Sequence, residues 1–208
     1  MNPQAAAERI VAAVKALPDG EARQLVAIAG PPGAGKSTIA AKTRTALVRA
    51  GIPAGLVAMD GFHLSNSILE ARGLRDKKGA PETFDLAGFD HLLARLRTEA
   101  EVIAPTFDRS LDAAIGSSEV ISPDQRVVVV EGNYLLLDEP GWRDLSGKWA
   151  LTVYLDIDAD TLEARLVDRW LSHGMTPEDA RAWTASNDLP NALRVTENRL
   201  PADLVLTT

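Results

Sequence analysis

The residue types most suited to chemistry lie in the stretch GPPGAGKST at residues 30–38. Its glycines and prolines make it a poor helix and a poor strand, so packing does not explain its composition. Glycines let successive backbone N–H groups turn inward around an anion, and a helix that begins just after them presents its positive end to the same anion. The spacing G-x-x-x-x-G-K-S is therefore typical of a loop that binds the phosphates of a nucleoside triphosphate.

In this pattern, known as Walker A, each residue type has a task. Lys36 is expected to reach the β- and γ-phosphates, Ser37 to ligate Mg²⁺ and Thr38 to touch the α-phosphate. The alternative is a glycine-rich connecting turn with an incidental lysine. It is disfavoured because an apolar run precedes the stretch and a helical pattern follows it. The residues predicted to hold the nucleotide are Gly30, Pro31, Gly33, Ala34, Gly35, Lys36, Ser37 and Thr38.

A carboxylate that could serve a metal follows the valine run 127–130. A rigid apolar strand that ends in an acid is the Walker B arrangement, which directs the acid toward Mg²⁺ or its waters. Glu131 occupies this position and, with Ser37, is the predicted metal ligand. The alternative is an ordinary solvent-facing glutamate at the end of a strand.

A second carboxylate, Asp60, ends another predicted strand and precedes Gly61-Phe62-His63. Ligands of open α/β sheets bind outside the carboxyl ends of the strands, where Asp60 could orient or deprotonate an attacking hydroxyl. The alternative is an aspartate that caps a turn. His63 could bond to a substrate, although a single histidine usually has a structural role.

Two arginines, Arg165 and Arg169, lie one turn apart on the predicted helix 160–172 and so share a face. Guanidinium groups that approach the phosphate loop would stabilise charge on a transferring phosphoryl group. The alternative is ion pairing with Glu163 or Asp168 on a solvated helix.

Other polar groups give weaker signals. Arg109 follows a strand end and is a candidate anion site. A basic patch could attract an anionic substrate, although a charged exposed loop is the simpler interpretation; it consists of Arg72, Arg75, Lys77 and Lys78. The pair Asn187-Asp188, with Asn191, could cap a helix or contact a nucleotide. The four tryptophans are interpreted as packing residues: Trp142, Trp149, Trp170 and Trp183.

The segments that must position these groups alternate between strand and helix patterns. Strands are predicted at 24–29, 54–60, 102–108, 126–132, 150–158 and 202–208, and helices at the N-terminus and at 37–50, 89–100, 160–172 and 177–185. The N-terminal helix is expected to begin with Asn2 as its cap and Pro3 in its first turn, and to stop at Pro18-Asp19-Gly20. Such alternation favours an α/β fold with a doubly wound parallel sheet. We expect one domain over 1–208, with lid and substrate segments near 62–86 and 160–190. Residues 70–85 are the candidate insertion or mobile loop.

The composition limits the classes of partner. The 208 residues carry a formal net charge of −7 and contain no cysteine. An acidic chain disfavours nucleic acid and anionic membranes as bulk partners, and the absence of cysteine excludes disulfides. No apolar run approaches the roughly 18 residues of a membrane helix. These features predict a cytoplasmic protein that acts on a small molecule. They are also compatible with assembly of the chain into a homodimer.

The motifs together resemble the phosphoribulokinase, uridine kinase and pantothenate kinase group, and especially bacterial kinases named for fructose transport systems. The likeness rests on MDGFHLSNSIL, GAPETFD, PTFDR, EGNYLLLDEPGW and RLVDRW, and extends over nearly the whole chain. It implies a P-loop fold with a helical lid, and transfer of the γ-phosphoryl group of ATP, with Mg²⁺, to a hydroxyl of a metabolite such as fructose. The alternatives are a nucleoside or pantothenate-like acceptor, or a non-catalytic nucleotide-binding accessory of a transport system. A GTPase switch is disfavoured because the Asn-Lys-x-Asp motif is absent.

The resemblance also implies roles for single residues. Asp60 matches the catalytic base, and Arg165 and Arg169 match lid arginines that act in catalysis with Lys36. Side chains expected to bind the substrate are Asp60, His63, Thr83, Phe84, Asp85, Arg109 and Tyr134. The group often has Asp-Ser where this chain has Asp60-Gly61, so contacts to a sugar or nucleoside do not transfer directly.

Overall fold

A computed structural model of the chain describes residues 1–18, 20 and 22–208. The strands are β1 (Gln24–Ala29), β2 (Ala54–Ala58), β3 (Val102–Asp108), β4 (Ala113–Ile121), β5 (Val127–Gly132), β6 (Leu151–Asp156) and β7 (Leu204–Thr207). The helices are α1 (Pro3–Lys15), α2 (Lys36–Arg49), α3 (Asn66–Ala71), α4 (Leu86–Thr98), α5 (Ala159–Ser172), α6 (Pro177–Trp183) and α7 (Leu189–Glu197).

The central sheet has five strands in the order β2-β5-β1-β6-β7, and every pairing in it is parallel. All six residues of β5 are buried, as expected for a strand covered by helices on both faces. Glu131 pairs in register with Ile28 of β1 and with Ala58 of β2. The carboxyl ends of these three strands therefore meet at one edge, and the predicted α/β fold with a parallel sheet is confirmed.

Each face of the sheet buries its own hydrophobic core. Side chains alternate between the faces of a strand, so Leu25 packs with Phe89 and Leu93 of α4 on one face. On the other face Val26 packs in the same cluster as Ile10 of α1. Helix α2 belongs to this second layer. It is thereby fixed against the sheet, with its N-terminus at the carboxyl edge.

The first helix follows the predicted pattern at its start. The Asn2 side chain accepts a hydrogen bond from the Ala5 N–H at 2.8 Å, and Pro3 occupies the first turn, where its missing N–H costs nothing. The helix ends at Lys15, before the predicted stop at Pro18-Asp19-Gly20, of which Asp19 lies outside the described residues. Over the part of the chain that the structure describes, no helix is both long and apolar enough to cross a membrane.

The predicted strand 102–108 does not join the main sheet. It pairs antiparallel with β4, a strand that the sequence pattern did not predict. Most side chains of β4 are at least partly exposed, and the segment contains a glycine and two serines, so its hydrophobic pattern is weak. The hairpin between the two strands contains Asp112, whose backbone has a positive φ of 49°.

Several boundaries differ from the prediction for local reasons. Strand β2 ends at Ala58, and a short 3-10 helix follows at Met59–Phe62. Helix α4 begins at Leu86 rather than residue 89, because the Asp85 side chain accepts a bond from the Gly88 N–H at 2.9 Å and caps the helix.

The C-terminal helical region is longer than predicted. After α6 a π-helical turn covers Thr184–Asp188 and leads directly into α7. The sequence pattern did not predict α7, whose second residue is Pro190. Proline is tolerated at this point because the first helical N–H groups need no partner within the helix.

Candidate active site

The predicted phosphate loop follows the carboxyl end of β1. Gly30, Gly33 and Gly35 all have positive φ, at 154°, 84° and 86°. A Cβ built at Gly30 would lie 2.9 Å from the Leu155 carbonyl oxygen, so a side chain does not fit there. The loop needs its glycines for these conformations and delivers the chain into the N-terminus of α2 at Lys36.

A cleft of about 650 Å³ opens at this edge of the sheet. Most of the predicted site residues line it: Gly33, Gly35, Lys36, Ser37, Thr38, Asp60, His63, Phe84, Arg109, Glu131 and Arg169. They come from the phosphate loop, from the segments after β2 and β5, from the β3–β4 hairpin and from α5. The fold thus gathers residues that are up to 136 positions apart in the sequence, counting from Gly33 to Arg169.

The other predicted residues lie behind or outside the cleft wall. Gly30 and Pro31 form the base of the loop, and Ala34 is buried. The Thr83 hydroxyl donates to the Ala80 carbonyl oxygen at 2.7 Å, and the Tyr134 hydroxyl donates to the Gly79 carbonyl oxygen at 2.5 Å. Both side chains support the 79–84 segment rather than line the cleft. Asp85 caps α4, as described above.

The Lys36 ammonium group is buried in the loop. It donates to the Pro31 carbonyl oxygen at 2.8 Å. Burial lowers the pKa of Lys36 to about 8, although the negative charges of Glu131 and Asp60 act in the opposite direction. A lysine in this state gains from an additional anion, because a second negative group offsets the cost of its burial.

The two predicted metal ligands are in contact. The Ser37 hydroxyl donates to Glu131 Oε1 at 3.0 Å. Burial raises the pKa of Glu131, and the nearby charge of Asp60 raises it further. A hydroxyl and a carboxylate are hard oxygen donors of the type that Mg²⁺ prefers, and this cation usually keeps waters and takes phosphate oxygens as its remaining ligands. Within residues 1–18, 20 and 22–208, no group of three or more His, Cys, Asp and Glu could hold a metal. The Ser37 hydroxyl and the Glu131 carboxylate fit a magnesium ion that takes its remaining ligands from water and phosphate.

The predicted base forms an ion pair across the cleft. Arg109 Nη2 donates to Asp60 Oδ2 at 3.2 Å, and the Asp60 side chain remains 26% exposed. The His63 ring bonds through Nδ1 to the Asp60 carbonyl oxygen at 2.8 Å. This ring lies against Phe84 and Phe107, with centroids 4.0 and 4.8 Å away. Burial lowers the pKa of His63, so the ring is a neutral hydrogen-bonding group near neutral pH.

The two arginines that were predicted to belong to a lid occupy different environments. Arg169 lines the cleft, and its guanidinium lies 5.3 Å from the ring centroid of Trp170. Burial lowers the pKa of Arg169, and repulsion by Arg109 lowers it further. Arg165 is exposed and does not line the cleft. Arg165 lies about one helical turn closer to the start of α5 than Arg169 does.

Sequence reasoning underrated several residues of the opposite wall. Trp170 and Trp183, interpreted as packing residues, line the cleft with Asn187, Asp188 and Asn191. The sequence feature that could have indicated these cleft residues is the polar run Asn187-Asp188 beside an unusually tryptophan-rich segment.

Part of the basic patch belongs to the same cleft, which corrects its interpretation as a charged exposed loop. Arg75 and Lys78 line the cleft, whereas Arg72 and Lys77 are exposed. The Lys78 side chain is only 9% exposed and pairs with Asp112 at 2.8 Å. Nothing in the local sequence indicated this pairing, because Asp112 lies on the unpredicted hairpin.

A parallel sheet with a glycine-rich phosphate loop, a metal-compatible Ser–Glu pair and an acid after the next strand defines a P-loop kinase. The chain belongs to the phosphoribulokinase/uridine kinase family, whose model matches residues 25–178.

Individual relatives agree with this membership. A crystal structure named as a "putative fructose transport system kinase", from Silicibacter sp. TM1040, is 47% identical, with a TM-score of 0.92 over 99% of this chain and 98% of that chain. The "Uncharacterized protein YggC" of Escherichia coli is 37% identical over 187 residues, which are 88% of this chain and 77% of that protein. A "Putative uridine kinase" of Schizosaccharomyces pombe is 35% identical over 88% of this chain and 83% of its own length.

Proposed function

We propose that the protein transfers the γ-phosphoryl group of ATP to a hydroxyl group of a small metabolite, with a sugar such as fructose as the best candidate. One observation carries the proposal. The carboxylate of Asp60 shares a cleft with Lys36 of the phosphate loop and is held there by Arg109 at 3.2 Å. A carboxylate at this place can orient an acceptor hydroxyl and receive its proton.

The nucleotide end of the cleft binds the triphosphate. Backbone N–H groups of the loop and the N-terminus of α2 surround the phosphates. The ammonium group of Lys36 pairs with the terminal phosphates, and the guanidinium of Arg169 neutralises charge that spreads over the transferring group. Both cations are substantially buried, and a low local dielectric strengthens their attraction to phosphate.

Ser37 and Glu131 hold the magnesium ion of the nucleotide. When bound, Mg²⁺ supplies neutralisation of the charge on the phosphate oxygens. Glu131 is ionised in this state, because a nearby cation offsets the burial that otherwise raises its pKa. The rigid central strand β5 fixes the direction of the carboxylate.

Asp60 acts as the base toward the acceptor. Its Oδ2 accepts from Arg109, which leaves Oδ1 to receive the proton of the attacking hydroxyl. The neutral ring of His63 and the faces of Phe84 and Phe107 shape the space beside it. Phosphoryl transfer needs mainly positioning and charge stabilisation, and these groups supply both.

Support for a sugar acceptor comes from the Silicibacter relative, whose printed name links it to fructose transport. The same name supports a link between this protein and a sugar transport system. A nucleoside is the second candidate, supported by the printed name of the Schizosaccharomyces relative. A pantothenate-like acceptor is a further candidate, supported by the printed name "Pantothenate kinase" of a Xanthobacter autotrophicus relative that is 32% identical over 90% of this chain. The non-catalytic accessory has weaker support, because it leaves Asp60 without a role.

The test is product formation by wild type and Asp60→Asn with Mg-ATP and a panel of sugars, nucleosides and pantothenate. We expect a phosphorylated product with wild type, and a loss of at least about 100-fold in turnover with the variant at unchanged ATP affinity. Asp124→Asn makes the same chemical change at an exposed position and serves as the matched control. Folded, ATP-binding wild type that phosphorylates no member of the panel would contradict the proposal.

A further inference from the structure

The C-terminal helical region, which contributes one wall of the cleft, contains a π-helical turn, Thr184–Asp188. Such turns are rare and occur frequently at functional sites, because they displace side chains from the regular helical positions. Here the turn carries Asn187 and Asp188 to the cleft, where Asn191 of α7 joins them. The mechanism proposed above uses none of these three residues.

The Asp188 carboxylate is oriented by one hydrogen bond and keeps its second oxygen as an acceptor for a ligand. The side chain is only 8% exposed, and its Oδ2 accepts a bond from the indole Nε1–H of Trp170 at 2.5 Å. In the part of the chain that the structure describes, no donor is bonded to Oδ1. The indole thus fixes the orientation of the carboxylate and leaves one acceptor oxygen for a ligand.

Two amide side chains extend this polar surface. Asn191 Nδ2 donates to the Asn187 carbonyl oxygen at 3.0 Å, which leaves Asn191 Oδ1 as an acceptor. Asn187 Nδ2 donates to the Lys78 carbonyl oxygen at 3.4 Å. This last bond joins the C-terminal helices to the segment that carries Lys78, which also lines the cleft.

The same wall offers aromatic surface. Trp170 and Trp183 pack edge to face with ring centroids 5.8 Å apart, and both line the cleft. A carboxylate, two amides and indole rings together suit a ligand with several hydroxyl groups on an apolar carbon skeleton. The hydroxyls bond to the polar groups, and the C–H faces pack on the rings.

The positive charge of Arg169, which the mechanism above assigns to the phosphates, acts on Asp188. Two other cations near this wall, Lys78 and Arg75, are already engaged by other groups. The Lys78 ammonium makes contacts with Asn66 Oδ1 and the Asp112 carbonyl oxygen, both at 2.7 Å, and with Asp112 Oδ1 at 2.8 Å. Its three protons are therefore all used. Arg75 pairs with the same carboxylate at 3.3 Å. An anionic group at this wall would meet Asp188 at close range and would have to compete with Asp112 for these two cations.

We propose that Asp188 and Asn191 form hydrogen bonds with neighbouring hydroxyl groups of a neutral polyhydroxylated acceptor. The negative charge of Asp188 then discriminates against acceptors that carry a phosphate or carboxylate. This inference rests on the proposed kinase function and assigns the substrate class of the same cleft. Asp188 is a specificity-determining residue in this account, whereas Asp60 remains the base.

Binding measured without turnover tests the inference separately from the reaction. The full chain, with Mg²⁺ and a non-hydrolysable ATP analogue, is titrated by calorimetry and tryptophan fluorescence. The neutral probes are D-fructose, D-ribose and D-mannitol, and the anionic probes are D-fructose 6-phosphate and D-glycerate. Wild type is expected to bind at least one neutral probe at least about tenfold more tightly than either anionic probe.

Asp188→Asn is the diagnostic variant, because the amide oxygen still accepts from Trp170 while the charge is lost. We expect about tenfold weaker binding of the neutral probe, since a bond to a charged acceptor is replaced by a neutral one. We also expect a smaller preference over the anionic probes at unchanged affinity for the ATP analogue. Glu178→Gln, an exposed change on α6, is the matched control. If Asp188→Asn loses its thermal unfolding transition, Asn191→Ala carries the same test.

Tighter binding of an anionic probe, binding of no neutral probe, or unchanged affinities in the folded variants would overturn the inference. Binding of a neutral probe that responds to Asp188→Asn, without any phosphorylated product, would support this assignment and count against the proposed phosphoryl transfer instead. The two proposals therefore fail in distinguishable ways.

Discussion

The Ser37 hydroxyl lies 3.0 Å from Glu131 Oε1 and donates to it, although the two residues are 94 positions apart. Ser37 belongs to the first turn of α2, and Glu131 lies near the end of the central strand. The contact brings the only two predicted metal ligands together at the edge where β1, β2 and β5 end. The first two predictions below concern Glu131 at this edge of the sheet.

Replacing Glu131 by glutamine tests its metal role. The amide keeps an oxygen for Ser37 but lacks the charge that attracts Mg²⁺, so the Mg²⁺ concentration for half-maximal activity should rise by about 10- to 100-fold. Titration of activity with Mg²⁺ measures this, with Glu119→Gln on β4 as a control. An unchanged requirement for Mg²⁺ would remove Glu131 from the metal site.

The same substitution should also change how the stability of the folded protein depends on pH. The pKa of Glu131 is raised in the folded chain, so the folded state binds more protons than the unfolded state above the ordinary glutamate pKa. Stability from this group is therefore present at low pH and decreases as pH rises toward the raised pKa. As the pH rises, the stability measured by thermal unfolding should decrease less in Glu131→Gln than in wild type. Parallel curves would contradict the burial argument.

ATP affinity should depend on pH through Lys36. The pKa of Lys36 is about 8 in the free protein, and bound phosphate raises it because phosphate favours the charged form. Raising the pH from about 7 to about 9 should therefore weaken ATP binding by about tenfold. Binding of a fluorescent ATP analogue measures this change.

Comparison of Lys36→Ala with wild type identifies the group that titrates. Lys36→Ala should bind ATP weakly at both pH values and show little further change. A pH dependence equal to that of wild type in Lys36→Ala would assign the titration to another group.

Arg165 and Arg169 of α5 should differ in their contribution to turnover. Arg169→Ala removes a cation from the cleft wall and should lower kcat by about 100-fold or more. Arg165→Ala removes an exposed side chain and should lower kcat by less than about threefold. Equal losses in the two variants, measured by steady-state kinetics, would mean that Arg165 also reaches the phosphates.

Arg109 should act mainly on the acceptor side. Arg109→Ala removes the ion pair that orients Asp60, so kcat/KM for the acceptor should decrease by at least about tenfold while KM for ATP stays unchanged. Arg97→Ala on α4 changes an exposed arginine and provides the comparison. A selective rise in the KM for ATP would place Arg109 with the nucleotide instead.

Local sequence patterns predicted the glycine-rich loop and the strand-end acids that the structure brings to one edge of the sheet. The glycine spacing of residues 30–36 imposes a particular backbone path, and the valine run before Glu131 can only be a buried strand in a chain of this composition. The order of strands then brings Asp60 to the same edge. These features depend on short stretches, and short stretches can be interpreted without knowledge of the rest of the fold.

The opposite wall could not be predicted in this way. Trp170 and Trp183 have the same sequence appearance whether they pack in a core or line a cleft, and only the placement of α5 and α6 decides. Arg165 and Arg169 share a helical face, so their different exposure depends on where that helix meets the cleft. The pairing of Lys78 with Asp112 depends on a hairpin whose second strand has a weak hydrophobic pattern.

The central claim is transfer of a phosphoryl group to an organic hydroxyl. It is tested most directly by following the label from ATP labelled in its γ-phosphate during a single turnover with D-fructose and the other members of the panel. The account predicts that the label appears in a phosphorylated organic product, and that Asp60→Asn abolishes this product while the variant still binds ATP. Label that appears only as inorganic phosphate with every acceptor, at the same rate in wild type and Asp60→Asn, would contradict it.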